Sequence, residues 1–487
     1  MDGDWDAVVV GAGMGGGMAA RALAERGLRV LVLEKGRAGW RAEETHLDAG
    51  LADPVARLVR GFWPEPLLVD GAEVMAPLGC GVGGSSAFYA ATLERPGVAD
   101  LGGWPFPCAE LRPWLERAEA LLEVAGEQDP LGEPAALRPP PEPGPADRAI
   151  MARLRANGMH PYLLHAGLRR VAGCRSCLGR KCPLACKMDG RSAGIEPALA
   201  TGRARLVTEA EVVRVLGEGA EAAGVEVRVG GEVVALRAPR VVLAAGALST
   251  PRLLMASDWP PDPHGQVGRH LMLHLNETVA VWPGVEGDPS KAVGFRDLMV
   301  IGGERMGMVQ ALGVDAREGE ILHALRGRLA RRAWGRGRLA WEAARLPARL
   351  AHRLLGTARL FVGLLEDLPH PDNRVLRDPA RPGRIVVGYR VTEELERRRA
   401  TFRRAMRQAF RGLRPVFLNR EAEPNWGHPC GTTRMGDDPR VSVLDASGRV
   451  HGVRNLWVAD AGAFPASLGV NPSLTIAALA LRVGEAA

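Results

Sequence analysis

Three groups of residues give this chain its means of doing chemistry. His428 opens the stretch His428-Pro429-Cys430-Gly431-Thr432-Thr433-Arg434-Met435-Gly436, and imidazole is the side chain best suited to taking a proton near neutrality. Asn471 precedes Pro472-Ser473 where a helix should start, with Pro472 at the first helical position, where its missing N–H costs nothing. An amide there can orient a hydroxyl but cannot take its proton. Four cysteines, Cys174, Cys177, Cys182 and Cys186, fall within thirteen residues beside Arg175, Arg180, Lys181 and Lys187. Basic neighbours favour thiolates, which are soft metal ligands, but the spacing matches neither a zinc ribbon nor a ferredoxin run. A cysteine-rich turn, free or disulfide-bonded, is the competing reading.

The elements that must position these groups begin at the N-terminus. Asp6-Ala7-Val8-Val9-Val10 runs into Gly11-Ala12-Gly13-Met14-Gly15-Gly16, then into an Ala-rich helical pattern ending near Gly27, and Arg29-Val30-Leu31-Val32-Leu33-Glu34 closes a βαβ unit. Gly11 allows the tight turn, Gly13 lets backbone approach a pyrophosphate, and Gly16 lets helix pack on strand. The helix N-terminus at Met14 and Gly15 would receive the phosphates. Glu34 lies about 20 residues beyond the glycines, where a carboxylate accepts from both ribose hydroxyls and repels a 2′-phosphate. The expected ligand is an adenine dinucleotide without that phosphate. Arg240 to Gly246 reads as a buried parallel strand ending at Ala245-Gly246, and Leu456 to Asp460 as another apolar strand closed by a carboxylate.

Bulk properties exclude several classes. At 487 residues the default is two domains or a discontinuous pair. Hydrophobic content of 46% with 24% charged residues describes a soluble globular chain. No run approaches the roughly 18 apolar residues of a membrane span. No charged and then apolar leader precedes Val8, so a cytoplasmic protein is expected. Between Arg326 and Arg353 nine arginines face one glutamate, a local +8 in a chain of net charge +7, which leaves the rest at −1. Leu322, Leu325 and Leu329, then Leu339, Leu346, Leu350 and Leu354, give two amphipathic helical patterns interrupted by Gly335 and Gly337, with Trp334 and Trp341 among them. That composition suits peripheral contact with anionic lipid or an acidic partner, or else a solvated helix face. No reader motif accompanies the charge, so nucleic acid is not expected.

Several segments resemble the glucose-methanol-choline (GMC) family of FAD-dependent oxidoreductases. Leu78-Gly79-Cys80-Gly81-Val82-Gly83-Gly84-Ser85-Ser86 is similar to its first signature, and Gly246-Ala247-Leu248-Ser249-Thr250-Pro251 with Leu254, Met255 and Ser257 to its second, Asp258 replacing the last glycine. The His428 stretch, Leu456 to Ala461 and Gly469 to Ile476 are similar to its C-terminal part. Val267-Gly268-Arg269 and His274 resemble the return to its substrate domain. The implied fold is α/β, a Rossmann-type FAD-binding domain (1–98, 190–275 and 427–487) with a discontinuous α+β substrate domain on an antiparallel sheet. That second domain takes 99–189 and 276–426, including the Cys-rich loop 174–186 and the Arg-rich segment 322–355.

The resemblance implies FAD contacts from the glycine turn, Glu34, Gly83, Gly84, Ser85, Val213, Ala245, Gly246, Asp460, Ala461, Asn471, Pro472 and Ser473. Phe88 stands where some members carry the His that attaches the flavin, so FAD is expected without a covalent bond. The implied reaction is oxidation of an alcohol CH–OH to a carbonyl by hydride transfer to flavin N5, with His428 as base and Asn471 as its partner. O2, a quinone or a redox protein would then reoxidise the flavin. Cys182-Pro183 is also similar to the cluster region of FAD-dependent glucose dehydrogenases, whose three iron–sulfur ligands map onto Cys177, Cys182 and one of Cys174 or Cys186. A sugar or polyol dehydrogenase passing electrons through such a cluster is the first alternative. A membrane-docked flavin scaffold is the second, and retention of both His428 and Asn471 counts against it.

Overall fold

The β-branched run Ala7–Val10 occupies the middle of a five-stranded parallel sheet, in the order Leu456–Val458, Val241–Leu243, Ala7–Val10, Val30–Leu33, Ala204–Val207. Val8 pairs with Val241 on one side and Leu31 on the other. The three inner strands are buried along their whole length, which explains why they read as continuous apolar runs without alternation. Helix Met14–Glu25 packs against helix Ser473–Ala486, so the last helix of the chain covers the first. This computed structural model describes residues 3–38, 67–74, 76, 78–172, 174, 179, 182, 184, 186–260, 262–287, 290–313, 318–330, 335 and 337–487. Cys177, Arg175, Arg180, Lys181 and Trp334 lie outside the described residues.

A three-stranded antiparallel meander, Ala210–Glu218, Glu221–Val229 and Glu232–Arg237, follows the parallel sheet. Its first strand shifts register between Val212 and Arg214, leaving Val213 as the extra residue of a bulge. The bulge keeps Val212 and Val215 both buried although they are three apart.

The second large sheet has six antiparallel strands, in the order Val416–Phe417, Leu275–Val281, Arg359–Leu365, Val309–Ala311, Val293–Phe295, Tyr162–Leu163. Its core gathers Phe295, Phe361 and Phe410, whose rings stack edge-on or tilted at 5.0–5.7 Å. Helix Glu393–Ala409 lies against it. A Cβ on Gly363 would come within 2.5 Å of the Phe402 ring, so the bare glycine backbone lets the helix sit close. The expected α/β fold with an antiparallel second sheet is present. A smaller sheet ties Leu67–Val69 and Ala72–Val74 to Val386–Gly388 and Arg374–Leu376. The Pro-rich stretch forms no helix until Pro145, which opens helix Pro145–Ala156 at a position that tolerates it. Among the described residues no helix is long and apolar enough to cross a membrane.

Candidate active site

The glycine turn, the first signature segment and the C-terminal stretch enclose one cavity of about 450 Å³. Its wall includes Gly11, Gly13, Met14, Gly15, Glu34, Gly84, Ser85, Phe88, Ala245, Gly246, His428, Asp460, Ala461, Asn471, Pro472 and Ser473. The glycines divide by what a side chain would meet. At Gly15 a Cβ would stand 1.8 Å from the Ala459 carbonyl oxygen, and at Gly16 1.9 Å from that of Gly11. At Gly13 nothing comes nearer than 3.8 Å. Gly15 and Gly16 are therefore fixed by packing, whereas Gly13 is bare toward the cavity. Gly13 caps helix Met14–Glu25 without a side-chain hydrogen bond, so the first N–H groups remain for an anion.

Three expected contributors, Gly16, Gly83 and Val213, stand behind the wall. Gly83, at φ +96°, donates its N–H to Ala12 O (2.8 Å) and so fastens the signature segment to the glycine turn. In strand Ala210–Glu218 the lining residues are Ala210, Glu211 and Val212 and not Val213, which the bulge leaves without a partner in the next strand.

Both carboxylates are held by backbone. Glu34 Oε2 accepts from Ala12 N (2.9 Å), and Oε1 from Gly36 N (2.8 Å) and Gly81 N (3.0 Å). Asp460 Oδ2 accepts from Gly246 N (2.9 Å) and Thr250 Oγ1 (2.6 Å), and Oδ1 from Gly462 N (2.8 Å). Burial raises the pKa of each, and these hydrogen bonds pull against it. Each carboxylate can accept about four hydrogen bonds, so each still has capacity for a ligand hydroxyl. Their first effect is to fix the loops around the cavity.

His428 lies beside a second histidine. His274 Nδ1 is 2.9 Å from His428 Nδ1, with the rings nearly perpendicular at 87°. His274 Nε2 is 2.8 Å from Leu468 O and 3.1 Å from Ser467 O. Carbonyls only accept, so His274 Nε2 carries the hydrogen. Burial lowers the His274 pKa and keeps the ring neutral, leaving Nδ1 as an acceptor. His428 must then donate from Nδ1. Its own pKa is pushed well below the ordinary value, by burial first and then by His274 and Lys291. A neutral ring with hydrogen on Nδ1 has a bare lone pair on Nε2, for which the described residues supply no partner. The Asn425 amide nitrogen, 3.2 Å from His428 Nδ1, cannot donate into a protonated nitrogen, and it reaches Asn276 Oδ1 at 3.2 Å. Leu468 is a buried non-glycine at φ +64°, a strained conformation that aims its carbonyl at His274.

Asn471 Oδ1 is buried without a hydrogen-bond partner among the described residues. It therefore caps nothing. The helix begins at Ser473 with Pro472 as its cap residue, one place later than the sequence suggests. An uncommitted buried amide on a cavity wall fits a ligand or substrate polar group better than a structural role. The residues present suit a dinucleotide: a bare Gly13, an uncapped helix end, and Glu34 and Asp460 with acceptor capacity left.

Three of the four loop cysteines, Cys174, Cys182 and Cys186, gather without bonding to one another. Cys182 Sγ is 3.2 Å and Cys174 Sγ 3.4 Å from Cys186 Sγ. A disulfide needs about 2.05 Å, and thiolates around one tetrahedral zinc, at bonds of about 2.3 Å, stand about 3.8 Å apart. Among the described residues no group of three or more ligating side chains could hold a metal ion. Burial and the neighbouring thiols push the Cys186 pKa up to about 12, the opposite of the thiolate character expected from basic neighbours. Gly179, in the same loop, reaches the cavity wall.

A dinucleotide cradle at the carboxyl ends of a parallel sheet, with a neutral imidazole and an unpartnered amide on its wall, defines a cofactor-dependent oxidoreductase. Two family models described as GMC oxidoreductase match residues 6–276 and 369–480. The chain belongs to the GMC oxidoreductase family, as an FAD-dependent enzyme acting on CH–OH donors. It is 30% identical to an uncharacterized GMC-type oxidoreductase of Mycobacterium tuberculosis, across 99% of this chain and 75% of that one. It is 29% identical to paromamine 6′-oxidase of Streptomyces fradiae (99% and 91%) and 26% to 2-methyl-1,2-propanediol dehydrogenase of Mycolicibacterium austroafricanum (99% and 94%). In fold it is similar to pyridoxine 4-oxidase from Mesorbium loti, with TM-score 0.69, 20% identity and 99% of each chain covered.

Proposed function

We propose that the protein oxidises the alcohol carbon of a small hydroxyl-bearing substrate to a carbonyl, with His428 Nε2 taking the hydroxyl proton. The observation that carries this reading is the bare Nε2 of His428 on the same cavity wall as the uncommitted amide of Asn471. Asn471 Nδ2 donates to the substrate oxygen and holds the hydroxyl toward His428. His428 receives the proton at Nε2 while its Nδ1–H stays on His274, whose lone pair supports the imidazolium that forms. When bound, FAD supplies the hydride acceptor at N5. His274 is 1% exposed, so water does not compete for the hydrogen on His428 Nδ1. The relatives named for paromamine and for a propanediol support a polar alcohol as substrate.

Phe88 offers no nucleophile on the wall, so FAD is held without a covalent bond, and O2, a quinone or a redox protein takes the electrons. We read residues 1–98, 190–275 and 427–487 as the FAD-binding domain and 99–189 and 276–426 as the substrate domain. The alternative, electron exit through an iron–sulfur cluster on Cys174, Cys177, Cys182 and Cys186, draws on the gathering of three of these sulfurs in the loop whose Gly179 lines the cavity. An anaerobic screen of alcohols, following the flavin absorbance, tests the main reading. Bleaching by at least one alcohol is expected, and a flavin that stays oxidised with every alcohol while reduced by dithionite would remove it.

A further inference from the structure

Helices Arg338–Ala343 and Arg345–Leu355 are inserted, with helix Glu318–Ala330, between two paired strands of the six-stranded sheet, Val309–Ala311 and Arg359–Leu365. A helix packed on its own protein turns large apolar residues inward. This pair does the reverse. Its buried positions are Ala344 and Ala348, set against Leu322 with Ile321, Leu325 and Leu329 around it. Its leucines face out, Leu339 89% exposed, Leu346 65%, Leu350 52% and Leu354 76%. At about 100° per residue Leu346, Leu350 and Leu354 fall within an arc of roughly 80°, and Ala348 lies about 160° from Leu350. Arg338, Arg345, Arg349 and Arg353 run along one flank of that stripe. Arg345 is paired with Glu342 (2.8 Å) and Arg349 with Glu318 (3.0 Å). Arg338 and Arg353 have no ion-pair partner among the described residues.

We propose that this face docks on an anionic membrane surface, the leucines entering the lipid interface and the arginines meeting lipid phosphates. The charge decides the occupant. Two copies packed antiparallel across this face would bring their arginine flanks together, and two packed parallel would set the arginines against Ala340, Pro347, Ala351 and Leu355 with no acidic partner. Anionic lipid instead neutralises the flank while the leucines leave water. The helices are too short to span a bilayer, so the pair lies in the plane of the surface. None of the stripe or flank residues lines the cofactor cavity, so docking is separable from catalysis.

The test is co-sedimentation of the full FAD-loaded chain with phosphatidylcholine vesicles containing about a third phosphatidylglycerol, against phosphatidylcholine alone. Salt-sensitive binding to the anionic vesicles is expected. Leu350→Ser with Leu354→Ser, and separately Arg349→Ser with Arg353→Ser, should each weaken it roughly tenfold or more while leaving the flavin spectrum and flavin reduction unchanged. No binding by the folded wild type overturns the proposal, as does binding that neither double variant alters. A solution dimer that the leucine variant splits, without vesicle binding, would assign the face to a second copy and equally overturn it.

Discussion

The Nδ1 atoms of His274 and His428 lie 2.9 Å apart, and because two carbonyls hold the hydrogen of His274 on Nε2, only His428 can donate across that gap. His274 thereby determines which nitrogen of His428 is basic. In His274→Phe the ring of His428 is free to carry its hydrogen on Nε2, the wrong atom for proton removal. Flavin reduction by substrate should slow by about 10²–10⁴-fold, as for other imidazoles left in the wrong tautomer. FAD content should hold and the acid limb of the pH profile should move. Wild-type rates with an unmoved limb would reduce His274 to packing.

The pH dependence follows from the sign of the His428 shift. A base works when neutral, and a pKa well below 6.5 keeps His428 neutral through physiological pH. Reduction should be level across neutrality and fall only in acid. Lys291 contributes to the depression, and burial brings its own pKa down to about 8. Lys291→Met removes that cation, raises the His428 pKa and moves the acid limb to higher pH. A limb that shifts the other way contradicts the assignment.

Gly13 and Gly15 should fail differently when changed to alanine. The Gly15 Cβ would meet the Ala459 carbonyl oxygen at 1.8 Å, so Gly15→Ala should lose cooperative folding. The Gly13 Cβ has room in the protein but would stand on the cavity wall, where a bound dinucleotide would lie against it. Gly13→Ala should therefore melt cooperatively, yet purify without flavin absorbance. A yellow Gly13→Ala protein would place the pyrophosphate elsewhere.

Acid precipitation should leave the cofactor yellow in the supernatant, because Phe88 faces the cavity without a nucleophile. Colour retained by the washed pellet would mean attachment through another residue.

The three gathered sulfurs are spaced as thiols, so protein purified without oxygen should carry iron, zinc and sulfide well below one per chain. Stoichiometric iron and sulfide would instead support the cluster reading and draw Cys177 in beside them.

The opening strand and turn were legible because a parallel strand buried on both faces and a glycine turn leave local patterns, and Ala7–Val10 with Gly11–Gly16 shows both. His428 and Asn471 were legible because each sits in a distinctive run of neighbours. What His274 does was not. It is 154 residues from its partner, and nothing in its flanking residues says that its Nε2 will meet the carbonyls of Ser467 and Leu468. Lys291 and Asn425 escaped for the same reason, being brought in by the second sheet and not by a motif. The Arg-rich segment showed its periodicity in sequence but not its orientation, since alanine and leucine faces are both apolar and only packing tells which one the core takes.

The central claim is most directly tested by rapid anaerobic mixing of wild type and His428→Ala with an alcohol that bleaches the wild-type flavin. Loss of a general base costs about 10²–10⁴-fold, so the variant should retain FAD and reduce it slower by that factor. Reduction within a few-fold of wild type would contradict the account and place the base on another residue.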